Sequence, residues 1–212
     1  MMKVLLLNGS PHTEGCTYRA LTEVANALNE SGIETEIMQI GKDTIRGCKA
    51  CGLCRKNKLG CCVFGDDSVN VAIAKMKECD GLVIGSPVHY AAAAGDITSF
   101  CDRLFYATGG FPGKPGAAIV TCRRAGTLTA FDQLNKYFTI NNMPIVPSVY
   151  WNHVFGNTPA EIEQDLEGMK VMRTLGRNMA YMIKSFALAK EAGLEFPEDE
   201  PHVFTNFIRK TK

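Results

Sequence analysis

Five times along this chain a strand-length apolar segment gives way to a helix-length amphipathic one, and that alternation restricts the fold more than any other feature. Residues 3–7 form a nearly unbroken apolar run ending in Asn8-Gly9-Ser10-Pro11, the pattern of a parallel strand buried on both faces. The same run is too short for a secretory leader and meets no small-residue cleavage site. Residues 17–28 follow with Leu21, Val24, Ala25 and Leu28 at helical spacing, and Ser31-Gly32 ends the helix. Residues 34–40 alternate as a second strand. Asp67 or Ser68 caps a helix running through Val71, Ile73 and Met76. Further strands are predicted at 81–84, 117–121 and 144–149, and further helices at 96–106, 127–138 and 159–190. The last helix carries Met169, Met172, Met179 and Met182 at near-helical spacing, the mark of a buried stripe. Strand and helix in strict alternation imply an α/β fold, a doubly wound sheet of five parallel strands with helices on both faces. The domain is expected to span 1–190, with a cysteine-rich insertion at 47–66 and an extended tail over 191–212.

Composition narrows the class. A chain of 212 residues, 46% hydrophobic and 21% charged, fits one soluble globular domain with an appendage. A net charge of +1 gives no support to a nucleic-acid or acidic-membrane partner. No apolar run approaches the roughly 18 residues of a membrane span. Nine cysteines, an odd number, fit reduced thiols or cluster ligands better than a secreted disulfide framework, so a cytoplasmic location is expected.

Five of those nine cysteines fall within residues 48–62. Cys48, Cys51 and Cys54 are separated by two residues each, and Cys61 or Cys62 supplies a fourth thiol. The spacing matches the Cys-x2-Cys-x2-Cys run that holds a [4Fe-4S] cluster. Four cysteines are also a common zinc set, and a thiol-rich loop buried at a subunit contact is a third reading. Cys16, Cys79, Cys101 and Cys122 read as core or loop residues, and Asp102-Arg103 as a structural ion pair on a helix.

In an open α/β sheet the ligand crevice lies at the carboxyl ends of the strands. Three loops are expected there. The first carries Ser10, Thr13, Cys16 and Thr17; it lacks Gly-x-Gly-x-x-Gly, so it suits one phosphate at a helix N-terminus rather than a dinucleotide. The second carries Pro87, Val88, His89, Tyr90 and Ala91; small residues admit a flat ring, and Tyr90 can flank it. The third carries Thr121, Cys122, Arg123, Arg124 and Gly126, where backbone donors and arginines can stabilise negative charge. Absence of the dinucleotide fingerprint favours the flavodoxin-like strand order 2-1-3-4-5 over a Rossmann half.

Several stretches also carry a family resemblance: Leu7-Asn8-Gly9-Ser10-Pro11, the Cys48/Cys51/Cys54 block with Asp66-Asp67, Gly85-Ser86-Pro87-Val88-His89-Tyr90, Phe100-Cys101-Asp102-Arg103, Arg123-Arg124-x-Gly126 and Tyr150-Trp151-Asn152. On these the chain resembles the flavodoxin-like NAD(P)H-dependent FMN reductases, and within them the iron–sulfur flavoprotein-like branch. The resemblance implies non-covalent FMN, its phosphate on Ser10, Thr13, Cys16 and Thr17 and its ring between residues 87–91 and 121–126. Many relatives place Asn where this chain has Cys16. The resemblance further implies NAD(P)H as cosubstrate, a small-molecule or protein electron acceptor, and a homodimer or homotetramer. No catalytic side chain is expected, since the flavin carries the chemistry. Two other functions fit the cysteine loop: electron transfer from ferredoxin through a cluster, and a thiol-based redox or metal sensor.

Overall fold

Strand β1 (Lys3–Asn8) lies inside a parallel sheet, paired on one side with β2 (Glu34–Gln39) and on the other with β3 (Gly81–His89). A computed structural model describes residues 1–42, 44–201, 203, 205 and 207 of the chain. Beyond β3 the end of the strand folds back on a two-residue strand, β4 (Ala92–Ala93), in an antiparallel hairpin that the sequence did not announce. The sheet continues through β5 (Gly116–Cys122) to β6 (His153–Phe155), so the order is β2-β1-β3-β5-β6. Setting the β4 hairpin aside, this is the expected flavodoxin-like order of five parallel strands.

The fifth strand begins where expected and finishes elsewhere. Val146 N donates to Gly116 O at 2.9 Å and Gly116 N donates to Pro144 O at 2.9 Å, but pairing stops there. Pro147 has no N–H to give to a ladder. The chain therefore leaves the sheet over 147–152 and returns as β6, opposite Val120, Thr121 and Cys122.

Side chains alternate across the strands and divide the core in two. Leu5, Leu7, Leu82, Ile84, Ala118 and Val120 pack beneath α3 (Val69–Glu78), α4 (Gly95–Thr108) and α5 (Thr127–Thr139). Val4, Leu6, Val83, Ala117 and Ile119 pack beneath α1 (Cys16–Glu30) and α7 (Leu166–Glu191), where Met169, Met172 and Met179 form the expected buried stripe. Helix α7 lies close on α1 at Gly176, where an added Cβ would stand 2.7 Å from both Ala27 Cβ and Val24 O. The single final helix expected from 159 is divided into α6 (Pro159–Gln164) and α7. Asp165 makes the break: one carboxylate oxygen accepts from Gly168 N at 2.9 Å, capping α7, and the other from Phe155 N at 2.8 Å. A short helix, α2 (Leu53–Lys56), lies inside the cysteine loop. After α7, residues 195–201 carry neither helix nor strand; positions 202, 204, 206 and 208–212 of the expected tail lie outside the described residues.

Glu23, buried on α1, joins the two helices by accepting from Arg173 at 2.5 Å and from Arg19 at 2.9 Å. Burial alone would raise its pKa, but Arg173 and Arg19 together hold the carboxyl below its ordinary 4.5. A depressed carboxylate pKa stabilises the fold above the unfolded value, and the gain is lost as pH falls through the folded one. Glu23→Gln is expected to cost about 1 kcal/mol at pH 7. Urea titrations should show the gap between the two proteins closing as pH drops below 4.5; equal stability at pH 7 would show that the pair contributes nothing.

Candidate functional site

The carboxyl ends of β1, β3 and β5 bring the three expected loops to one edge of the sheet. The first loop is held from below by two side-chain amides. Asn8, fully buried at the end of β1, accepts from Ser10 N at 3.2 Å with Oδ1. Its Nδ2 donates to Gln39 Oε1 at 2.6 Å and to Thr13 O at 3.3 Å. Gln39, which the strand register sets opposite Asn8, donates Nε2 to Ser10 O at 2.6 Å. Gly41 is packed beneath: a Cβ there would lie 2.5 Å from Gly9 O and from Ser10 C. Ser10 Oγ accepts from His12 N at 3.1 Å. Helix α1 then begins at Cys16 with Gly15 as its N-cap, and no side chain caps it. The amides of Thr13, Glu14, Cys16, Thr17 and Tyr18 make no hydrogen bond to any described residue. Free first-turn amides of a 15-residue helix, next to a hydroxyl-bearing loop, are groups able to donate to an anion.

Two of the sequence-predicted hydroxyls serve the frame. Thr17 Oγ1 and Thr121 Oγ1 lie 2.8 Å apart, both buried, and tie the first loop to the third. Cys16 Sγ is 3.7 Å from Gly156 O, and Gly156 N donates to Cys122 O at 3.0 Å. Burial pushes both the Cys16 and the Cys122 thiols above their ordinary pKa, so neither is a thiolate at neutral pH. Ser10 is buried and Thr13 exposed on the loop surface.

In the second loop Ser86 Oγ accepts from Ala94 N at 3.0 Å and closes the hairpin. Pro87 and Val88 are half-buried; His89, Tyr90 and Ala91 are exposed. Tyr90 stands at the tip with φ +61° and its side chain fully exposed. A bulky aromatic held in the left-handed region costs about 1–3 kcal/mol, and such strain collects at ligand sites. In the third loop Arg123 and Arg124 are exposed and pair with no carboxylate among the described residues. Gly126, at φ +92°, turns the chain into α5, and a Cβ there would meet Val88 Cγ1 at 2.8 Å, so the second and third loops touch.

Beside this crevice the edge strand carries a row of aromatic rings that composition alone did not reveal. Tyr150 and Trp151 rings are 4.7 Å apart, and His153 lies 4.8 Å from Phe155. Tyr150, Trp151 and Phe155 are exposed. Desolvation lowers the His153 pKa despite Asp165 and Glu167 nearby, leaving the imidazole neutral at pH 7.

The cysteine loop packs on the outer side of α4. Cys48, Cys51, Cys54 and Cys62 line one cavity of about 20 Å³ together with Phe64, Arg103 and Tyr106, and Cys61 is not part of that lining. Arg103 is buried beneath it. Its guanidinium donates to Asp67 Oδ2, to Arg46 O at 3.1 Å, to Phe64 O at 2.8 Å and to Cys62 Sγ at 3.3 Å. The expected Asp102–Arg103 pair is thus not the real one. Adjacent helical residues point about 100° apart, so Arg103 turns inward to Asp67 while Asp102 accepts from Tyr137 Oη at 2.6 Å. Four thiols line one space, the ligand number of a cubane, but about 20 Å³ holds no more than a water, so the loop would have to open to admit one. A zinc ion would need its sulfurs about 2.3 Å from one centre, and no three such ligands converge on a point among the described residues. Cys48 and Cys51 are exposed and Cys54 is buried.

Sequence reasoning missed Asn8, Gln39 and Gly41 as supports of the first loop. Counting β1 and β2 in parallel register would have found the first two, since each ends its strand.

The model of the family described as NADPH-dependent FMN reductase matches residues 2–158. An iron–sulfur flavoprotein of Methanocaldococcus jannaschii is 32% identical over 192 residues, covering 86% of this chain and 98% of the relative. Among solved structures, RosB with bound 8-demethyl-8-formylriboflavin-5'-phosphate superposes with a TM-score of 0.69 at 14% identity, over 99% of this chain and 93% of that one. A flavodoxin from the domain Archaea gives 0.56 at 14% identity, over 87% and 99%. The chain belongs to the NADPH-dependent FMN reductase family, and its fold is flavodoxin-like.

Proposed function

We propose that this family member binds FMN in the crevice between the three loops and uses NADH or NADPH to reduce a small or protein electron acceptor. The observation that carries the reading is the set of unpartnered amides at the uncapped start of α1, facing a loop fixed on both sides of Ser10. Backbone N–H groups at Thr13, Cys16 and Thr17, with the Ser10 and Thr13 hydroxyls, hold the phosphate. Pro87, Val88, His89, Tyr90 and Ala91 wall the ring on one side. Cys122, Arg123, Arg124 and Gly126 meet it on the other, where the arginines offset negative charge. Bound FMN supplies hydride acceptance and onward electron transfer. Tyr90 and the aromatic row leave the crevice open to solvent on one flank, and a second copy of the chain in a dimer or tetramer completes its wall.

The test is a titration of flavin-free protein with FMN, followed by quenching of flavin fluorescence, then anaerobic mixing with NADPH or NADH. Saturable binding and bleaching of the flavin band are expected. Absence of saturable FMN binding sinks the reading; binding without bleaching by either nucleotide removes only the nicotinamide.

The cavity lined by four cysteines favours a second station in the same molecule. Cys48, Cys51, Cys54 and Cys62, with Cys61 as the other candidate for the fourth ligand, hold a [4Fe-4S] cluster. Such a cluster supplies one-electron transfer, and Arg103 orients the Cys62 sulfur toward it.

A further inference from the structure

We infer that Asn8 and Gln39 are positioning residues that give the site its preference for a flavin carrying a terminal phosphate over one without it; this rests on the FMN reading above. Both side chains bond to each other and to backbone groups of the loop. Both act on the peptide groups around Ser10. Asn8 Oδ1 takes the N–H of Ser10 at 3.2 Å, and Gln39 Nε2 gives to its carbonyl at 2.6 Å. The amide orientations are forced rather than chosen: Ser10 N requires an acceptor and Ser10 O a donor. The 2.6 Å bond from Asn8 Nδ2 to Gln39 Oε1 then satisfies the remaining groups. One more bond, Asn8 Nδ2 to Thr13 O at 3.3 Å, fixes the far side of the loop.

The consequence is electrostatic. Ser10 and Thr13 carbonyls point down to the amides, so they do not point at the phosphate. The N–H groups of Thr13, Cys16 and Thr17 remain without partners. A dianion is strongly disfavoured by a carbonyl oxygen and favoured by each amide, so turning one peptide plane changes the sign of the contact. Among the described residues no hydrogen bond joins Asn8 or Gln39 to the side chains of residues 87–91 or 121–126. Loss of the pair therefore weakens the phosphate contact alone.

The experiment measures dissociation constants of FMN and of riboflavin for the wild-type protein, Gln39→Leu and Gln39→Glu. Leucine removes both bonds of Gln39. Glutamate keeps the length and can accept from Asn8, but it cannot donate to Ser10 O. The preference for FMN over riboflavin is expected to fall about tenfold in both variants, as for loss of one charge-assisted hydrogen bond. Riboflavin affinity should stay within about twofold. A preference that falls less than about threefold, or a parallel loss of both flavins, overturns the inference. If Gln39→Leu melts early and does not fold, Gln39→Met, which keeps the length, cannot donate to Ser10 O and adds no charge, decides alone. Failure of the wild-type protein to bind FMN would remove the functional reading itself, a separate result.

Discussion

Arg103→Met should destabilise the protein by about 3–5 kcal/mol, the cost of leaving one member of a buried pair without its partner. Arg103 and Asp67 are 1% and 4% exposed at their side chains, so the orphaned Asp67 carboxylate would have no water to replace the guanidinium. Three further acceptors would be abandoned with it: the carbonyls of Arg46 and Phe64 and the Cys62 sulfur. For a chain of this size the melting midpoint would fall by roughly 10 °C. The double variant Arg103→Met/Asp67→Leu separates charge burial from packing. Apolar replacement of a whole buried pair is often neutral, so most of the loss should return. Denaturant unfolding checks both. A single variant within about 1 kcal/mol of wild type would mean that the pair is solvated in solution. No recovery in the double variant would mean that the carbonyl and sulfur contacts carry the stability instead.

The same arginine shows where the sequence could and could not be read. Periodicity located α1, α3, α4 and α5, the α6–α7 stretch as one unbroken helix, and four of the five parallel strands, because a run such as 3–7 has one use in an α/β sheet. It also put the three loops on one edge, since the carboxyl ends of parallel strands coincide. What escaped depended on pairings between segments distant in sequence. Arg103 looked bound to its neighbour Asp102, but the helix turned it toward Asp67, 36 residues away. Asn8 read as part of a turn until the register set it across from Gln39. The fifth strand slipped to His153–Phe155 because Pro147 interrupts pairing, and nothing local shows that the chain re-enters the sheet six residues later. That the Thr17 and Thr121 hydroxyls bond to each other, 104 residues apart, likewise has no local signal.

The two adjacent cysteines offer a sharper separation. Cys62→Ser is expected to abolish iron binding and Cys61→Ser to retain it, because only Cys62 of the two lines the cavity. Cys62 lines the cavity with Cys48, Cys51 and Cys54; Cys61 does not. The orientation of Cys62 is fixed twice over. Its N–H donates to Asn70 Oδ1 at 2.8 Å and its carbonyl accepts from Asn70 Nδ2 at 2.8 Å, while Arg103 Nε donates to its sulfur. A hydrogen bond to a ligand sulfur is also one of the levers that set a cluster's potential. Iron and sulfide analysis of anaerobically purified protein should give about four iron atoms per chain for wild type and Cys61→Ser, and under about one for Cys62→Ser, Cys48→Ser, Cys51→Ser and Cys54→Ser. The opposite result for the adjacent pair would move the fourth ligand to Cys61 and require residues 59–64 to rotate away from Asn70. Iron absent from every form would remove the cluster and leave the proposed flavin crevice untouched, since the Ser10 loop, the Tyr90 hairpin and the Arg123 loop share no side chain with the cysteine cavity.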